Sequence, residues 1–275
     1  MTIDNNIQYS PAYTEGNKAL ERIATGLKLN SAADDAASLA IAESLNVEAS
    51  GLSQSIENVN SGLALTQIGD KAISEQSKLL DGIKSNLLQA ATGTTSDDGR
   101  EALFGEIQKS LEQLDNIAEQ TNYNGDNILQ AGHNDSGESN SVQFQAGTSS
   151  EDIIESSGIQ ANTSGLNLES LKNLNVSDFD ADTARSFLDD VDKAVSSLNS
   201  FRSELGATAN QLESSSRNLA TQHTSTREAS AILSNVDYAS EIANFSKQNI
   251  MAQVGAFSQA QSSNLTQQVV LRLLQ

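Results

Sequence analysis

The chain has 275 residues, 37% of them hydrophobic, and a formal net charge of −20 at pH 7. A chain this acidic lacks the excess of Lys and Arg that binding to nucleic acid or to an anionic membrane surface requires. The absence of cysteine excludes a disulfide framework, a thiolate nucleophile and a cysteine-based zinc site.

The N-terminal half predicts a weak helix followed by a long one. Apolar residues at helical spacing run to about Leu29, with an interruption at Gly26. Ser31 and Asp34 have the spacing of residues that cap a first helical turn, so a new helix is expected from Ser31 to about Gly93. Its apolar stripe consists of Leu45, Ala49, Leu52, Ile56, Val59, Leu63, Ile73, Leu80, Ile83 and Leu87.

A shorter helix follows the 93–99 loop, and it is expected to pack on the long helix as a hairpin. Helical spacing runs from Leu103 to Ile117 and stops at the turn residues 122–125. From 126 to about 182 the periodicity is lost. Ser, Asn, Gly and Asp there surround short apolar pieces, which predicts turns and a few short strands.

A heptad pattern follows the irregular region and predicts a second long helix. Its apolar positions lie seven residues apart, which is the spacing of a helix that packs along another helix. Such a helix needs an equally long partner, and residues 40–90 supply it. The repeat consists of Val191, Leu198, Leu205, Leu212, Leu219, Thr226 and Leu233.

The final segment, 242–275, contains no Asp or Glu and only two charges, Lys247 and Arg272. Apolar residues still follow helical spacing through it. In so acidic a protein this is typical either of a segment that lies beside other copies of the chain or of a tail helix packed on its own domain. Composition alone leaves both open. The apolar positions are Ile242, Phe245, Ile250, Val254, Phe257, Leu265, Val269 and Leu273.

The sequence offers little support for catalysis or metal binding. The acids at 178, 180 and 182 resemble the start of a calcium loop, but Thr183 occupies the position where that loop requires glycine. Capping of the following helix is the preferred interpretation. His133 and His223 are too far apart for a His-Glu-x-x-His zinc site, and neither phosphate-loop nor serine-hydrolase motifs occur. We therefore expect a protein without enzymatic activity or cofactor.

Several segments closely resemble conserved parts of bacterial flagellin, the subunit of the flagellar filament. The first is residues 26–42, GLKLNSAADDAASLAIA. Further similarity lies at 120–125 (QTNYNG), 202–212 (RSELGATANQL), 236–241 (VDYASE) and in the ending from 253 to 274. The matches span both halves in the family's order, with only about fifty residues between them, and so resemble a short flagellin without large outer domains.

The resemblance implies a mainly helical fold with three parts. Residues 1–38 and 240–275 would form the inner-tube domain, which lines the filament bore. Residues 39–130 and 183–239 would form a long antiparallel helical rod with a small β-rich tip at 131–182. The rod seam would consist of Leu52, Ile56, Val59, Leu63, Leu198, Leu205, Leu212 and Leu219. The polymerising residues would be Ile242, Phe245, Ile250, Val254, Phe257, Leu265, Val269 and Leu273.

The implied function is self-assembly into an extracellular filament for motility. By resemblance, the flagellar type III apparatus would export the unfolded chain without a Sec-type signal, and a chaperone would cover the C-terminal segment beforehand. Hook-associated and cap proteins would be further partners. The alternative within the same export family is a hook–filament junction protein, which would form only a ring. The poor match of residues 1–15, including Pro11, leaves the start of the inner helix open.

One further departure from the family pattern lies in a rod segment that animal Toll-like receptor 5 recognises in many flagellins. Gly82 stands where those flagellins carry the key arginine. Glycine cannot make the bidentate, stacked contact of an arginine, so weak or absent receptor activation is expected. The matching residues are Asp81, Gly82, Ile83, Lys84, Ser85 and Asn86.

Overall fold

The structure, a computed structural model, describes residues 10–131 and 137–273 and confirms the mainly helical class. Two antiparallel hairpins interrupt the helices. The elements are α1 (Ser10–Thr25), α2 (Ala32–Ala90), α3 (Asp97–Gln120), β1 (Asn122–Tyr123), β2 (Asp126–Asn127), β3 (Val142–Gln145), β4 (Ile153–Ser156), α4 (Glu169–Lys172), α5 (Ala181–Ser234) and α6 (Tyr238–Leu273).

The chain divides into two compact units, each of which combines segments from both halves of the sequence. Unit 1 consists of Met1–Ser50 and His223–Gln275, and unit 2 of Gly51–Gln222. Residues 1–9, on which the question of an early inner helix turns, lie outside the described part. Within the described part, α1 runs from Ser10 to Thr25 and includes Pro11.

The start of α2 differs from the predicted capping box. Asp34 accepts hydrogen bonds from the backbone N–H groups of Asn30 (3.1 Å) and Ser31 (3.0 Å), which form a turn ahead of the helix. Asp35 has extended backbone angles, and its carboxylate accepts from Ala37 N and Ser38 N. Asp35 is therefore the residue that caps the regular helix, because its side chain reaches the free N–H groups of the first turn.

The core of unit 2 lies along the contact between α2 and α5. On α2, buried residues recur every seven positions from Leu52 to Leu87, so α2 has a heptad register as well as α5. Leu205 packs against Gly69, where an added Cβ would lie 3.0 Å from Leu205 Cδ1. The buried α2 positions are Leu52, Val59, Thr66, Ile73, Leu80 and Leu87, and those of α5 are Val191, Leu198, Leu205, Leu212 and Leu219.

The expected hairpin of α2 and α3 is present. Ser96 caps α3 by accepting a hydrogen bond from Gly99 N, and Arg100 Nε donates to the carbonyl of Ala90 near the end of α2. Gln76 is fully buried on α2, and its Nε2 donates to Leu114 O (3.1 Å) and Ala161 O (2.8 Å). This one amide joins α2, α3 and the segment after β4.

The β3–β4 hairpin lies against α2. Its two strands are at the short apolar pieces that predicted strands in this region. The ring of Phe144 occupies the space above Gly62, where an added Cβ would lie 2.8 Å from Phe144 Cδ1. Asn58 Nδ2 also donates to the carbonyl of Gln145. A glycine at 62 is therefore required for the hairpin to approach α2 this closely.

The segment between β4 and α5 holds more core than its polar composition predicts. It contributes five fully buried apolar residues before and within α4, and Asp115 on α3 anchors it. The Asp115 carboxylate accepts from Thr163 N (2.7 Å) and Thr163 Oγ1 (2.9 Å) and pairs with Lys172 Nζ at 2.6 Å. The fully buried residues are Ile159, Ala161, Leu166, Leu168 and Leu171.

Replacing Leu205 tests the α2–α5 contact. Leu205→Ala is expected to lower the free energy of unfolding of unit 2 by about 2–5 kcal/mol, because it leaves a cavity against Gly69. Thermal denaturation followed by circular dichroism measures the change. Leu88→Ala, at an exposed position on α2, is the control and should shift the transition only slightly. Equal shifts for the two variants would contradict the packing described.

Candidate functional site

The contact between α1 and α6 in unit 1 is made by small side chains. Ala12 and Ala19 of α1 and Ala252 of α6 are buried, as is Gly255. Gly16 faces α6, and a Cβ added there would make an ordinary contact with Gln248 Cβ at 3.7 Å. Small residues at three- and four-residue spacing let the two helix backbones approach each other, but they bury little apolar surface.

The large apolar side chains of α6 face away from this contact. Six of the eight predicted polymerising residues are more than half exposed, and Phe257 reaches 73%. Phe245 is half-buried, and Leu273 ends α6 with a side chain outside the described part. The exposed six are Ile242, Ile250, Val254, Phe257, Leu265 and Val269.

Unit 1 carries further exposed apolar residues that sequence reasoning missed. Ile232 on α5 is 80% exposed, although it neighbours a heptad position. In the sequence, Ile232 stands one position away from the heptad repeat. A residue at that position points to the outside of the helix pair. The other members are Tyr13 and Leu20 on α1 and Ile41 and Val47 on α2.

Together these residues give unit 1 a surface unlike that of a soluble monomer. Groups of exposed apolar side chains commonly mark contact sites. Among the described residues, no helix is long and apolar enough to cross a membrane. Because 242–275 contains no Asp or Glu, this part of α6 can meet other copies without bringing side-chain carboxylates together. The surface is suited to contact with other protein chains.

The predicted rod seam lies in unit 2 with differing burial. Ile56 and Leu63 are only half-buried, while the other six predicted residues are buried. Leu65 is buried and was not predicted. The buried positions around it are Val59, Gly62 and Thr66, so Gly62 and not Leu63 occupies the second buried position of this heptad.

Part of the segment 81–86 is buried or paired with other helices, so fewer of its side chains are exposed than the sequence implies. Ile83 is fully buried in the core of unit 2. Lys84 Nζ pairs with Asp192 on α5, and Asn86 Nδ2 donates to Glu106 on α3. Gly82 is exposed, and a Cβ added there meets nothing within 4 Å. Packing therefore does not require a glycine at this position.

The candidate calcium-loop acids cap a helix instead. Asp180 accepts a hydrogen bond from Thr183 N at 2.7 Å, and the pKa of its carboxyl is lowered by the hydrogen bonds from Thr183. Asp182 pairs with Arg185 one turn further on. Within 10–131 and 137–273 the structure places no three His, Cys, Asp or Glu side chains together as metal ligands. His223 is half-buried on α5, and His133 lies outside the described residues.

Two family models match the chain. The bacterial flagellin N-terminal helical region matches residues 3–134, and the bacterial flagellin C-terminal helical region matches residues 188–274. The chain belongs to the bacterial flagellin family. This flagellin is therefore a structural, non-enzymatic subunit of the extracellular flagellar filament, and it associates with copies of itself.

The similar proteins are flagellins, and two of them match this chain over nearly their whole length. Flagellin of Listeria monocytogenes is 29% identical, covering 100% of this chain and 99% of its own length. Flagellin of Halalkalibacterium halodurans is 30% identical over 94% of this chain and 92% of that protein. Flagellin A of Helicobacter felis is 41% identical, but the match covers 52% of this chain and only 27% of that longer protein.

Solved structures support the same assignment. The crystal structure of Bacillus cereus flagellin has a TM-score of 0.51 and 25% identity, covering 59% of this chain and 88% of that chain. A chain from Vibrio parahaemolyticus described as a flagellar hook-associated protein has a TM-score of 0.60, covering 73% of this flagellin and 99% of that chain. At 13% identity the second match shows a shared fold and does not favour the junction-protein alternative.

Replacing Gly82 tests whether there is free space around this position. Gly82→Ala is expected to raise the free energy of unfolding of unit 2 by about 1 kcal/mol, because glycine is a poor residue inside an exposed helix. Chemical denaturation monitored by circular dichroism gives the value. Gly62→Ala is the matched control and should destabilise unit 2, since its new methyl group meets Phe144. A loss of stability in Gly82→Ala would contradict the description of this site.

Proposed function

We propose that α1 and α6 form the polymerising part of the flagellin subunit. In this assignment residues 1–38 and 240–275 form the inner-tube domain, 39–130 and 183–239 the helical rod, and 131–182 the tip. The observation that carries the proposal is the arrangement of α6, whose small residues contact α1 while its large apolar residues face outward. A subunit that buries those residues only against other copies is stable in a filament and soluble as a chain.

The geometry favours a filament over a closed ring. Open helical assemblies arise when a surface on one copy contacts a different surface on the next and the rotation does not close. Unit 1 exposes apolar residues on α1, α2, α5 and α6, which gives it more than one candidate contact surface. Growth of long filaments from purified chain would support flagellin function, and arrest after a ring would support the junction-protein alternative.

Export of the chain to the filament end and its binding of other partners are part of the same proposal. The flagellar type III apparatus would export the chain in an unfolded state, which the absence of disulfides permits. A cytoplasmic chaperone would cover 242–275 beforehand, because an apolar helix face fits a hydrophobic groove on a partner. Hook-associated and cap proteins would bound the filament at its two ends.

A single charge on α6 tests the polymerising surface. Phe257→Glu is expected to abolish growth on filament seeds, because assembly would bury an unpaired carboxylate there. Light scattering and electron microscopy measure growth. Ile153→Glu, at an exposed apolar residue on β4 in unit 2, is the control and should grow normally. Both variants should keep the native circular dichroism, since both side chains are exposed.

Truncation gives a second readout of the same assignment. A chain that lacks 242–275 is expected to remain soluble and helical in unit 2 but not to polymerise on seeds. Filament growth from that truncation, or from Phe257→Glu, would contradict the role proposed for α6.

Receptor recognition is the last part of the proposal. Weak activation of Toll-like receptor 5 is expected in reporter cells, because Gly82 offers no guanidinium at the exposed position on α2. Gly82→Arg should raise potency, whereas Gly93→Arg adds the same charge in a loop with open space and should not. Potency of the unmodified chain equal to that of an arginine-bearing flagellin would contradict this expectation.

A further inference from the structure

The 159–163 segment of unit 2, which we call the strap, contacts both helices of the α2–α3 hairpin without forming a helix or strand itself. Its Ile159 and Ala161 are fully buried. Ala161 N donates to Leu129 O at 2.8 Å. Ser139 N donates to the carbonyl of Ile159, also at 2.8 Å. A segment that is held mainly by apolar burial can shift without losing much of that burial, because the hydrophobic effect has no preferred direction. Directional contacts are needed to fix its position.

Gln76 supplies such a contact from α2. Its side chain is fully buried, and its Nε2 donates to Ala161 O of the strap at 2.8 Å. The same nitrogen donates to Leu114 O of α3 at 3.1 Å. The strap therefore lies where one amide group of α2 finds a carbonyl on each of its two neighbours.

A glutamine is unusual at this place in the core of unit 2. The second buried position of the other α2 heptads holds a small or apolar residue, whereas Gln76 carries a large polar side chain. Within residues 10–131 and 137–273, no group donates a hydrogen bond to its Oε1. Burial of an unpaired amide oxygen costs free energy, and an apolar side chain of similar size avoids that cost. Core stability alone therefore does not explain this residue. The series is Ser55, Gly62, Gly69, Gln76, Ile83 and Ala90.

Thr66 is another buried polar residue on the same stripe of α2, and its hydrogen bond differs in kind. Its Oγ1 donates to Leu63 O at 2.9 Å, within its own helix. A hydroxyl that bonds in this way sets no condition on the position of a neighbouring segment. Gln76 needs acceptors from outside α2, so its burial is tolerated only where α3 and the strap bring carbonyls to it.

The strap has a second directional contact at its other end, on α3. Thr163 N and Thr163 Oγ1 donate to the Asp115 carboxylate at 2.7 Å and 2.9 Å. The Asp115 side chain is 22% exposed, so water can replace its partners if the strap moves. The amide of Gln76 is closed off from solvent and has no such replacement. A displaced strap is therefore penalised more strongly at Gln76.

We propose that Gln76 is a positioning residue that selects one docked arrangement of the strap on the α2–α3 hairpin. In that arrangement its amide nitrogen donates to two carbonyls, and in a displaced arrangement the amide is buried without them. Gln76 acts by penalising the alternatives and adds little net stability. This inference concerns unit 2 alone and does not depend on the assembly role proposed for α6.

Hydrogen exchange on the dilute, unassembled, full-length chain tests the selection. The amides of Ala161 and Thr163 report the docked arrangement, because their acceptors, Leu129 O and Asp115, lie beside them only there. Gln76→Met removes both hydrogen bonds of the amide and keeps the length of the side chain. It is expected to speed exchange of these two amides roughly ten- to hundredfold, because displaced arrangements no longer carry the penalty of two lost hydrogen bonds.

Two amides of α5, those of Leu198 and Leu205, measure the stability of unit 2 as a whole. In Gln76→Met they should keep most of their protection, because the cost of the unpaired oxygen disappears together with the two hydrogen bonds. Gln76→Asn keeps the amide but is one methylene shorter, so the amide stays buried and no longer reaches both carbonyls. It should lower protection of the two α5 amides more than Gln76→Met does.

Thr66→Val is the matched control for the loss of a buried polar group on α2. It removes a hydroxyl from the same stripe, but the hydrogen bond that it breaks lies within one helix. Exchange of the strap amides should remain as in the unmodified chain.

The outcomes separate positioning from ordinary stabilisation. Faster exchange that is confined to the strap in Gln76→Met, with Gln76→Asn the less stable variant, would support the proposal. Unchanged exchange of the strap in Gln76→Met, or equal acceleration in Thr66→Val, would overturn it. Loss of protection by the same factor in the strap and in α5 would show that Gln76 only stabilises unit 2, and so would a Gln76→Met chain that does not fold. A Gln76→Asn chain more stable than Gln76→Met would also contradict the proposed penalty.

Discussion

The contact between α2 and α5 is the constraint on which unit 2 depends. Neither helix can bury its apolar stripe alone, and the two stripes come from opposite halves of the sequence. The packed pair, with Leu205 and its heptad neighbours, provides fixed surfaces for α3, the β3–β4 hairpin and the segment around α4. Gln76, Gly62 and Asp115 then place these elements by one specific contact each. A polar segment thus becomes part of a core.

In unit 1, by contrast, the large apolar residues are mostly exposed. Burial of large side chains supplies most of the stabilisation in a folded domain, yet here alanine and glycine make the α1–α6 contact and Phe257 faces solvent. That arrangement is costly for a monomer and useful for a subunit whose remaining contacts come from other copies. Arg22 meets Asp34 and Glu241 at one end of this contact. From residue 242 onward the chain has no Asp or Glu, which permits close association without bringing side-chain carboxylates together.

Carboxylates have a mainly structural task where they lie near helix starts. Asp35, Asp180 and Asp237 each accept backbone N–H groups of a first turn. Hydrogen bonds from the Ser38 hydroxyl and backbone N–H groups lower the pKa of Asp35, and hydrogen bonds from Thr183 lower the pKa of Asp180. The alternate acids at 178–182, which resembled a calcium loop, show the limit of reading spacing alone. A capping carboxylate and a ligand carboxylate have the same sequence signature.

The helices, the heptad of α5, the short strands at β3 and β4 and the lack of carboxylate side chains in 242–275 could all be predicted from the sequence, because they depend on local periodicity and composition. It could not determine that Asp35 caps α2, or that Leu65 is buried and Leu63 only half-buried. Those facts depend on which face of a helix meets a neighbour. Only the tertiary structure brought Arg22, Asp34 and Glu241 together, since that contact joins residues more than two hundred positions apart and no local pattern records it.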